Sequence, residues 1–437
     1  MPRPPRHDRV DAAVLEVTGL VGEQGWLADR ALERVLRRER TLYAPERRAV
    51  AEAVYGLLRA RGQLAWLAAG LGGPLEPAAV YALWLVRVAG AAPEQAARRL
   101  GVPAQVLARA LDRADARIAA IPDPLERLAV RESIPRWIAE RFVAELGEEG
   151  AAALGHAMNR RAPLTLRANT LRGARDALRE RLAEEGVAAT PTRLSPWGLV
   201  LDGHANAFAL AAFREGRFEI QDEGSQLIAL AVGARPGETV VDACAGAGGK
   251  ALALAAEMRG KGSLVALDVD AERLAEARRR ARRAGVHNLR VRLLPEGGEV
   301  NGVLQDLAGR CQRVLIDAPC SGLGTLRRKP DARWRLTPDA PARFAALQRE
   351  LAARFAPLVA PGGRLVYATC SIGRTENAEV AATLAALPGL APLPLDRALG
   401  PALAAAVGAT GNTVQLWPHL HGTDGFFIAA FERSRAP

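Results

Sequence analysis

The most restrictive feature of the chain is the stretch ETVVDACAGAGGK, residues 238–250. A β-branched run ends on the carboxylate of Asp242, glycines follow at Gly246, Gly248 and Gly249, and the helix-forming KALALAAEM comes next. A strand that turns through glycines straight into a helix cannot close a hairpin. It needs a parallel neighbour reached by a crossover. The same grammar continues. SLVALDVD, LRVRLL, RVLIDAP and GRLVYATCS read as strands, while AERLAEARRRARRAG, PARFAALQRELAARFAPLV and TENAEVAATLAAL read as helices between them. TVQLWP and GFFIAAFER close the chain as further strands. Apolar strands alternating with amphipathic helices predict an α/β fold, a doubly wound, mostly parallel, Rossmann-like sheet over residues 226–437.

The 437 residues exceed one ordinary core, so more domains must precede it. From Arg9 to Arg117, Leu and Ala recur at three- and four-residue spacing with short Gly/Pro breaks, which predicts an all-α domain over 1–135. SIPRWIAERFVAEL reads as a helix, and PLTLRANTL, ARDALRERLAEEG and PWGLVLDG then read as strand, helix and strand, so 136–225 is expected to be a helical linker plus a small α+β unit. No apolar run is long enough to span a membrane, and MPRPPRHDRVDAAVLEV lacks the apolar core of a signal peptide. The expected location is the cytosol. A formal charge of +11 favours a polyanionic partner, nucleic acid ahead of a membrane surface.

In doubly wound sheets, ligands sit beyond the carboxyl ends of the strands. Four segments fall there: DACAGAGGK, LDVD, DAPCS and ATCS. The glycines remove Cβ atoms where backbone must approach a ligand, and Asp268 ends the next strand where a carboxylate can accept from ribose hydroxyls. Gly246, Gly248 and Ala251 satisfy a relaxed dinucleotide pattern, which keeps a nicotinamide oxidoreductase as a rival; a phosphate-binding Walker loop fits worse, because Cys244 and Ala251 stand at two of its fixed positions. A nucleoside cofactor without a phosphate cradle, such as S-adenosylmethionine, uses the layout better.

Of the four cysteines, Cys244, Cys311, Cys320 and Cys370, none forms a CxxC pair and no histidine joins them at zinc spacing, so no metal is expected. A lone cysteine at a strand end is more often a small buried hydrophobe. Two of them, Cys320 and Cys370, beside Asp317, suit a demanding reaction: a thiolate adding to carbon 6 of cytosine makes carbon 5 nucleophilic toward an electrophilic methyl. The loop LRRKPDARWR adds Arg327, Arg328, Lys329, Arg333 and Arg335 around Trp334, cations for phosphates and a ring to stack a base. The arginines of AERLAEARRRARRAG read as the outer face of a packed helix.

At these residues the sequence resembles the RsmB/Fmu/Sun type of 16S ribosomal RNA cytosine-5 methyltransferase, within the Nol/Sun RNA methyltransferases. DACAGAGGK, DAPCSGLGTLRRKPDARW, YATCSIGRTEN and GTDGFFIAAFER carry the likeness; APLTLRANTL and FEIQDEGSQL resemble the family's pre-catalytic region, and the N-terminal helices its NusB-like RNA-binding domain. The resemblance implies Cys370 as nucleophile and Cys320 as the residue that assists release of methylated RNA. It places S-adenosylmethionine against Cys244, Ala245, Gly246, Ala247, Gly248, Gly249 and Lys250, its ribose on Asp268, and Asp317 beside cofactor and target base. It gives Cys311 no function. Three departures stand out: Ala247 where the family commonly has proline, Ala251 where it has threonine, and Pro295-Glu296 where an aspartate usually follows the third strand. Glu296 is the candidate replacement. The implied partner is ribosomal RNA, with another RNA such as transfer RNA, or a non-catalytic role in assembly, as alternatives.

Overall fold

The computed structural model describes residues 7–70, 76–203, 205–295 and 301–435. The chain packs into two compact units, Met1–Arg161 with Leu326–Pro338, and Ala162–Thr325 with Asp339–Pro437.

The first unit is helical. Its long helix Ala44–Ala69 starts where Glu46 reaches back to the amide of Tyr43 at 2.8 Å, with Pro45 in the first turn. Val50, Ala53, Val54, Leu57, Leu58, Leu64 and Leu67 then fall on one buried face. That face packs with the helices His7–Gly22, Ala28–Arg38 and Pro77–Arg87 around Val14, Val17, Val35 and Leu83. The helix Arg136–Asn159 belongs to this unit too, with a break at Gly147, where φ is +69°. The compact units divide the chain after Arg161, so the helix that opens the 136–225 segment packs with the first unit, and the loop 326–338 lies with the helices rather than with the sheet that flanks it in sequence.

The second unit holds two sheets. In the smaller, β1 (Thr165–Ala168), β2 (Ala189–Pro191), β3 (Gly198–Leu201) and β4 (Phe218–Ile220) pair antiparallel in the order β2-β3-β1-β4. The three-residue β2 and β4 are too short for a sequence pattern to announce. Among the described residues the larger sheet has eight strands: β5 (Thr239–Asp242), β6 (Ser263–Asp268), β7 (Leu289–Leu293), β8 (Cys311–Asp317), β9 (Val359–Thr369), β10 (Leu390–Pro392), β11 (Thr413–Leu416) and β12 (Phe426–Arg433).

Strands β7, β6, β5, β8 and β9 are parallel, and β12 lies antiparallel between β9 and the edge strands β10 and β11. The fold is thus α/β as expected, with an antiparallel margin made by the C-terminal strands. The central parallel strands β5, β8 and β9 are buried on both faces, as Val240, Val241, Val314, Leu315, Val366 and Tyr367 attest, because helices cover each side. Winding begins at β5, proceeds outward to β6 and β7, and then reverses to β8 on the other side. The carboxyl ends of β5 and β8 flank the switch point, where this architecture leaves a crevice.

Candidate active site

The site is built from the loops that leave β5, β6, β8 and β9. After β5 the backbone turns through left-handed geometry at Gly246 (φ +53°) and Gly248 (φ +81°). A side chain at Gly248 would also press on the Cβ of Ala277 at 2.9 Å, which is why the helix Gly249–Glu257 can start so close to its neighbour. At Gly246 nothing lies within 4 Å of where a Cβ would be, so the turn opens onto free space. Asp268 anchors that turn: one oxygen accepts the Gly246 amide at 2.7 Å, the other the Asp270 amide at 2.9 Å. Each oxygen keeps a lone pair for a ligand.

Asp242 lies beneath the turn, 1 % exposed, and among the described residues neither of its oxygens has a hydrogen-bond partner. Burial, reinforced by the charge of Asp317, pushes its pKa up to about 7. An open glycine turn, a carboxylate at the next strand end and an orphaned buried carboxyl fit a nucleoside cofactor bearing a cationic amine better than a polyphosphate. Cys244, Ala245, Ala247 and Gly249 lie in or beside this turn, as the sequence placed them. Glu296 lies outside the described residues.

Lys250 does not face the turn alone. Its ammonium pairs with Asp317, at the end of β8, at 2.6 Å and stands 5.8 Å from the ring centre of Phe426. Burial works against the Lys250 charge, but the field and hydrogen bond of Asp317, with a smaller contribution from Cys370, hold its pKa above that of an ordinary lysine.

The two sequence-singled cysteines meet. Asp317 is in register with Ala368 across β8 and β9, and the Ala318 amide extends that ladder to the Ala368 carbonyl at 2.9 Å. Cys320 and Cys370 therefore leave their strands at nearly the same height, and their Sγ atoms lie 3.2 Å apart. That is well beyond the ~2.05 Å of a disulfide, so both are free thiols within hydrogen-bond reach. The bond to Cys370, together with burial, pushes the Cys320 pKa well above its ordinary value. Cys311 is elsewhere: it opens β8, fully buried, its thiol donating to the Leu307 carbonyl, and burial pushes its pKa up to about 12.

The basic loop corrects an expectation. Arg333 is completely buried, donating to the carbonyls of Ser133 and Met158 and to Oδ1 of Asn159. Trp334 donates its indole N–H to the Leu58 carbonyl at 2.8 Å, and Arg327 is buried. Arg333 is spent inside the helical unit, because its guanidinium satisfies the Ser133 and Met158 carbonyls near helix ends. Arg328 is half-buried; Lys329 and Arg335 are exposed, Arg335 pairing with Asp331 at 3.1 Å.

Other residues went unmarked in the sequence. Glu376 collects hydrogen bonds from Ser321 and Ser371, each next to a cysteine. Arg167 of β1 donates to the Gly249 carbonyl at 2.7 Å, and Arg280 to the Ala247 carbonyl at 2.8 Å. Arg280 thus turns inward from a helix read as an outer face. The segments that hold these residues, APLTLRANTL, AERLAEARRRARRAG and the TEN that follows the second cysteine, carried no sign of these contacts.

Comparison with known proteins places the chain in a family. The family model 16S rRNA methyltransferase RsmB/F matches residues 229–432, and the RsmF/B-like ferredoxin-like domain matches residues 134–207. A probable ribosomal RNA small subunit methyltransferase B of Bacillus subtilis is 35% identical over 72% of this chain and 69% of its own length. A protein of the same description from Synechocystis is 31% identical over 93% and 95%. Among solved structures, PH0851 superposes with a TM-score of 0.78 at 28% identity, covering 99% of this chain and 100% of its own. A methyltransferase homologue from Pyrococcus horikoshii gives 0.60 at 29%, over 71% and 99%.

Proposed function

The chain belongs to the RsmB/F family of 16S rRNA methyltransferases, and on that premise we propose that it methylates carbon 5 of a cytosine in small-subunit ribosomal RNA through a covalent bond to Cys370. The observation that carries this reading is the 3.2 Å approach of two free thiols beside the Lys250–Asp317 pair. A sulfonium donor such as S-adenosylmethionine, held by the turn 244–249 and Asp268, would supply the electrophilic methyl group.

The residues divide the remaining work. Lys250 lies in the field of Cys370, so its ammonium favours the Cys370 thiolate. That thiolate adds to carbon 6 and leaves an electron pair at carbon 5, which takes the methyl. Asp317 stands at the strand end where it can meet the polar edge of the base. Cys320 gives up its thiol proton to solvent and, as a thiolate, accepts the proton from carbon 5; the carbon 5–carbon 6 double bond re-forms, and Cys370 leaves as thiolate. Once the Cys370 sulfur is bound to carbon, it no longer raises the Cys320 pKa as in the free enzyme, so the Cys320 thiolate that this step needs is easier to form. The nicotinamide alternative has no use for the paired thiols.

The helical unit and the exposed Lys329 and Arg335 supply contacts to RNA in this proposal, and reduced thiols suit a cytosolic enzyme. Among the described residues no helix is long and apolar enough to cross a membrane. The test is to map 5-methylcytosine in total RNA with and without the gene, then assay the purified protein on the affected RNA. Cys370→Ala should abolish transfer with the fold intact. Cys320→Ala should accumulate a protein–RNA adduct that resists denaturing gels; normal turnover by that variant would remove Cys320 from the release step.

A further inference from the structure

Both cysteines sit just past strand ends, where the ladder hydrogen bonds that fix backbone position stop. Something else must hold two sulfurs at one height. The residue after each cysteine is a serine, and both serine side chains turn away from the site into the protein. Ser321 gives its amide to Oε1 of Glu376 at 2.7 Å and its hydroxyl to Oε2, while Ser371 gives its hydroxyl to the same Oε2 at 2.6 Å. The two hydroxyl oxygens lie 2.9 Å apart. Gln348 closes the ring from below, donating to the Pro319 carbonyl at 2.9 Å and to Oε1 of Glu376 at 3.3 Å. Glu376 is 1 % exposed, and Ser371 and Gln348 are fully buried. Its own backbone is pinned by Tyr367, whose hydroxyl donates to the Glu376 carbonyl at 2.6 Å.

We propose that Glu376 is a positioning residue that sets the distance between the two thiols, by tying the backbone after Cys320 and the backbone after Cys370 to one buried carboxylate. A carboxylate is the suitable group. It is an acceptor with several lone-pair sites, so it draws in both hydroxyls and an amide at once. Each serine is one peptide bond from its cysteine, so a shift of either hydroxyl passes directly to a sulfur. Asn377 extends the clamp on one side, accepting from Thr369 Oγ1 at 2.6 Å and donating to the Ser371 carbonyl at 3.2 Å. Only the kinetic part of this inference rests on the methyl-transfer reading; the geometric part does not.

The experiment reads the thiol pair without any RNA. Diamide oxidises Cys320 and Cys370 to a disulfide, taking both thiol hydrogens and becoming the hydrazine, and the cross-linked peptide is quantified by mass spectrometry of the full chain. Because cross-linking needs the sulfurs prealigned, Glu376→Ala should slow it about tenfold or more. Glu376→Gln keeps one oxygen for the Ser321 amide and offers an NH2 to both hydroxyl oxygens, so it should restore most of the rate. On active RNA, Glu376→Ala should lower kcat about a hundredfold with KM for S-adenosylmethionine held within about twofold, since the glycine turn is untouched. An unchanged cross-linking rate in Glu376→Ala, or an unchanged kcat, overturns the proposal. If Glu376→Ala does not fold, Ser371→Ala decides by the same two readouts, slower cross-linking supporting the clamp and wild-type rates overturning it. Slower cross-linking in the variant, with a wild-type protein that methylates no RNA, overturns the functional reading and leaves the clamp standing.

Discussion

At the scale of single residues, the group with the most to say about conditions is Asp242. Its carboxyl is buried at the carboxyl end of β5 without a hydrogen-bond partner among the described residues, and burial with the charge of Asp317 lifts its pKa to about 7. An unfolded aspartate titrates near 4. Between those values the folded chain holds a proton that the unfolded chain has lost, so this group subtracts stability as pH rises from about 4 to about 7, and the full cost is felt above that window. Asp242→Asn should therefore be more stable than the wild type at pH 8, by a few kcal/mol, and by much less at pH 4. Calorimetric Tm values at the two pH values check this; an equal shift at both would show that the carboxyl is not the source. Cys311 makes the contrasting case. Its thiol is fully buried at the start of β8 and burial pushes its pKa up to about 12, so it stays protonated at neutral pH.

Elements place what residues cannot place alone. The segment 326–338 follows the first cysteine loop in sequence, yet it packs with the helices, where Arg333 bridges Ser133, Met158 and Asn159. Arg333→Ala would strand three buried acceptors. At about 1 kcal/mol or more for each unsatisfied group, chemical denaturation should show a loss of about 3 kcal/mol. The salt dependence of RNA binding should not change. Lys329→Ala should do the reverse, leaving stability alone and lowering the slope of log affinity against log salt by about one contact. Gly324 shows how tightly the loop after Cys320 is seated: a Cβ there would fall 2.0 Å from the Gly425 carbonyl oxygen and 2.8 Å from that of Cys370. Gly324→Ala has only backbone to push against, so it should displace the cysteine loops and slow diamide cross-linking of the thiol pair. An unaltered rate would mean that the loop yields elsewhere.

On the scale of the whole second unit, the small sheet is more than an adjacent module. Arg167, fully enclosed, joins Gln221 to the Gly249 carbonyl, while Glu219 of β4 pairs with Arg280, which holds the Ala247 carbonyl. Enclosure lowers the Arg167 pKa to about 10, which still leaves it charged at neutral pH. The glycine turn 244–249 is thus braced from outside its own sheet. Arg167→Leu should weaken S-adenosylmethionine binding by about tenfold in calorimetry while sparing the thiol cross-link, because the brace touches the β5 turn and not the β8 and β9 loops. Much of this molecule was legible in its sequence: the strand–turn–helix alternation, the glycine turn, the acidic strand ends and the two cysteines are written in local period and local φ preference, which a short window of chain contains. Other features were not legible. The strands β2 and β4 are three residues each and exist only because β1 and β3 offer edges. Arg333 and Trp334 look like part of a solvated basic loop until the distant carbonyls of Ser133, Met158 and Leu58 accept from them. Nothing in the sequence tells that Glu376 meets serines from two loops. Sequence alone determined the backbone of the longer, strongly periodic segments and which reactive groups each would carry. Only the tertiary structure decided which of those groups would meet, because a hydrogen bond between residues far apart in the chain depends on how the intervening strands and helices pack.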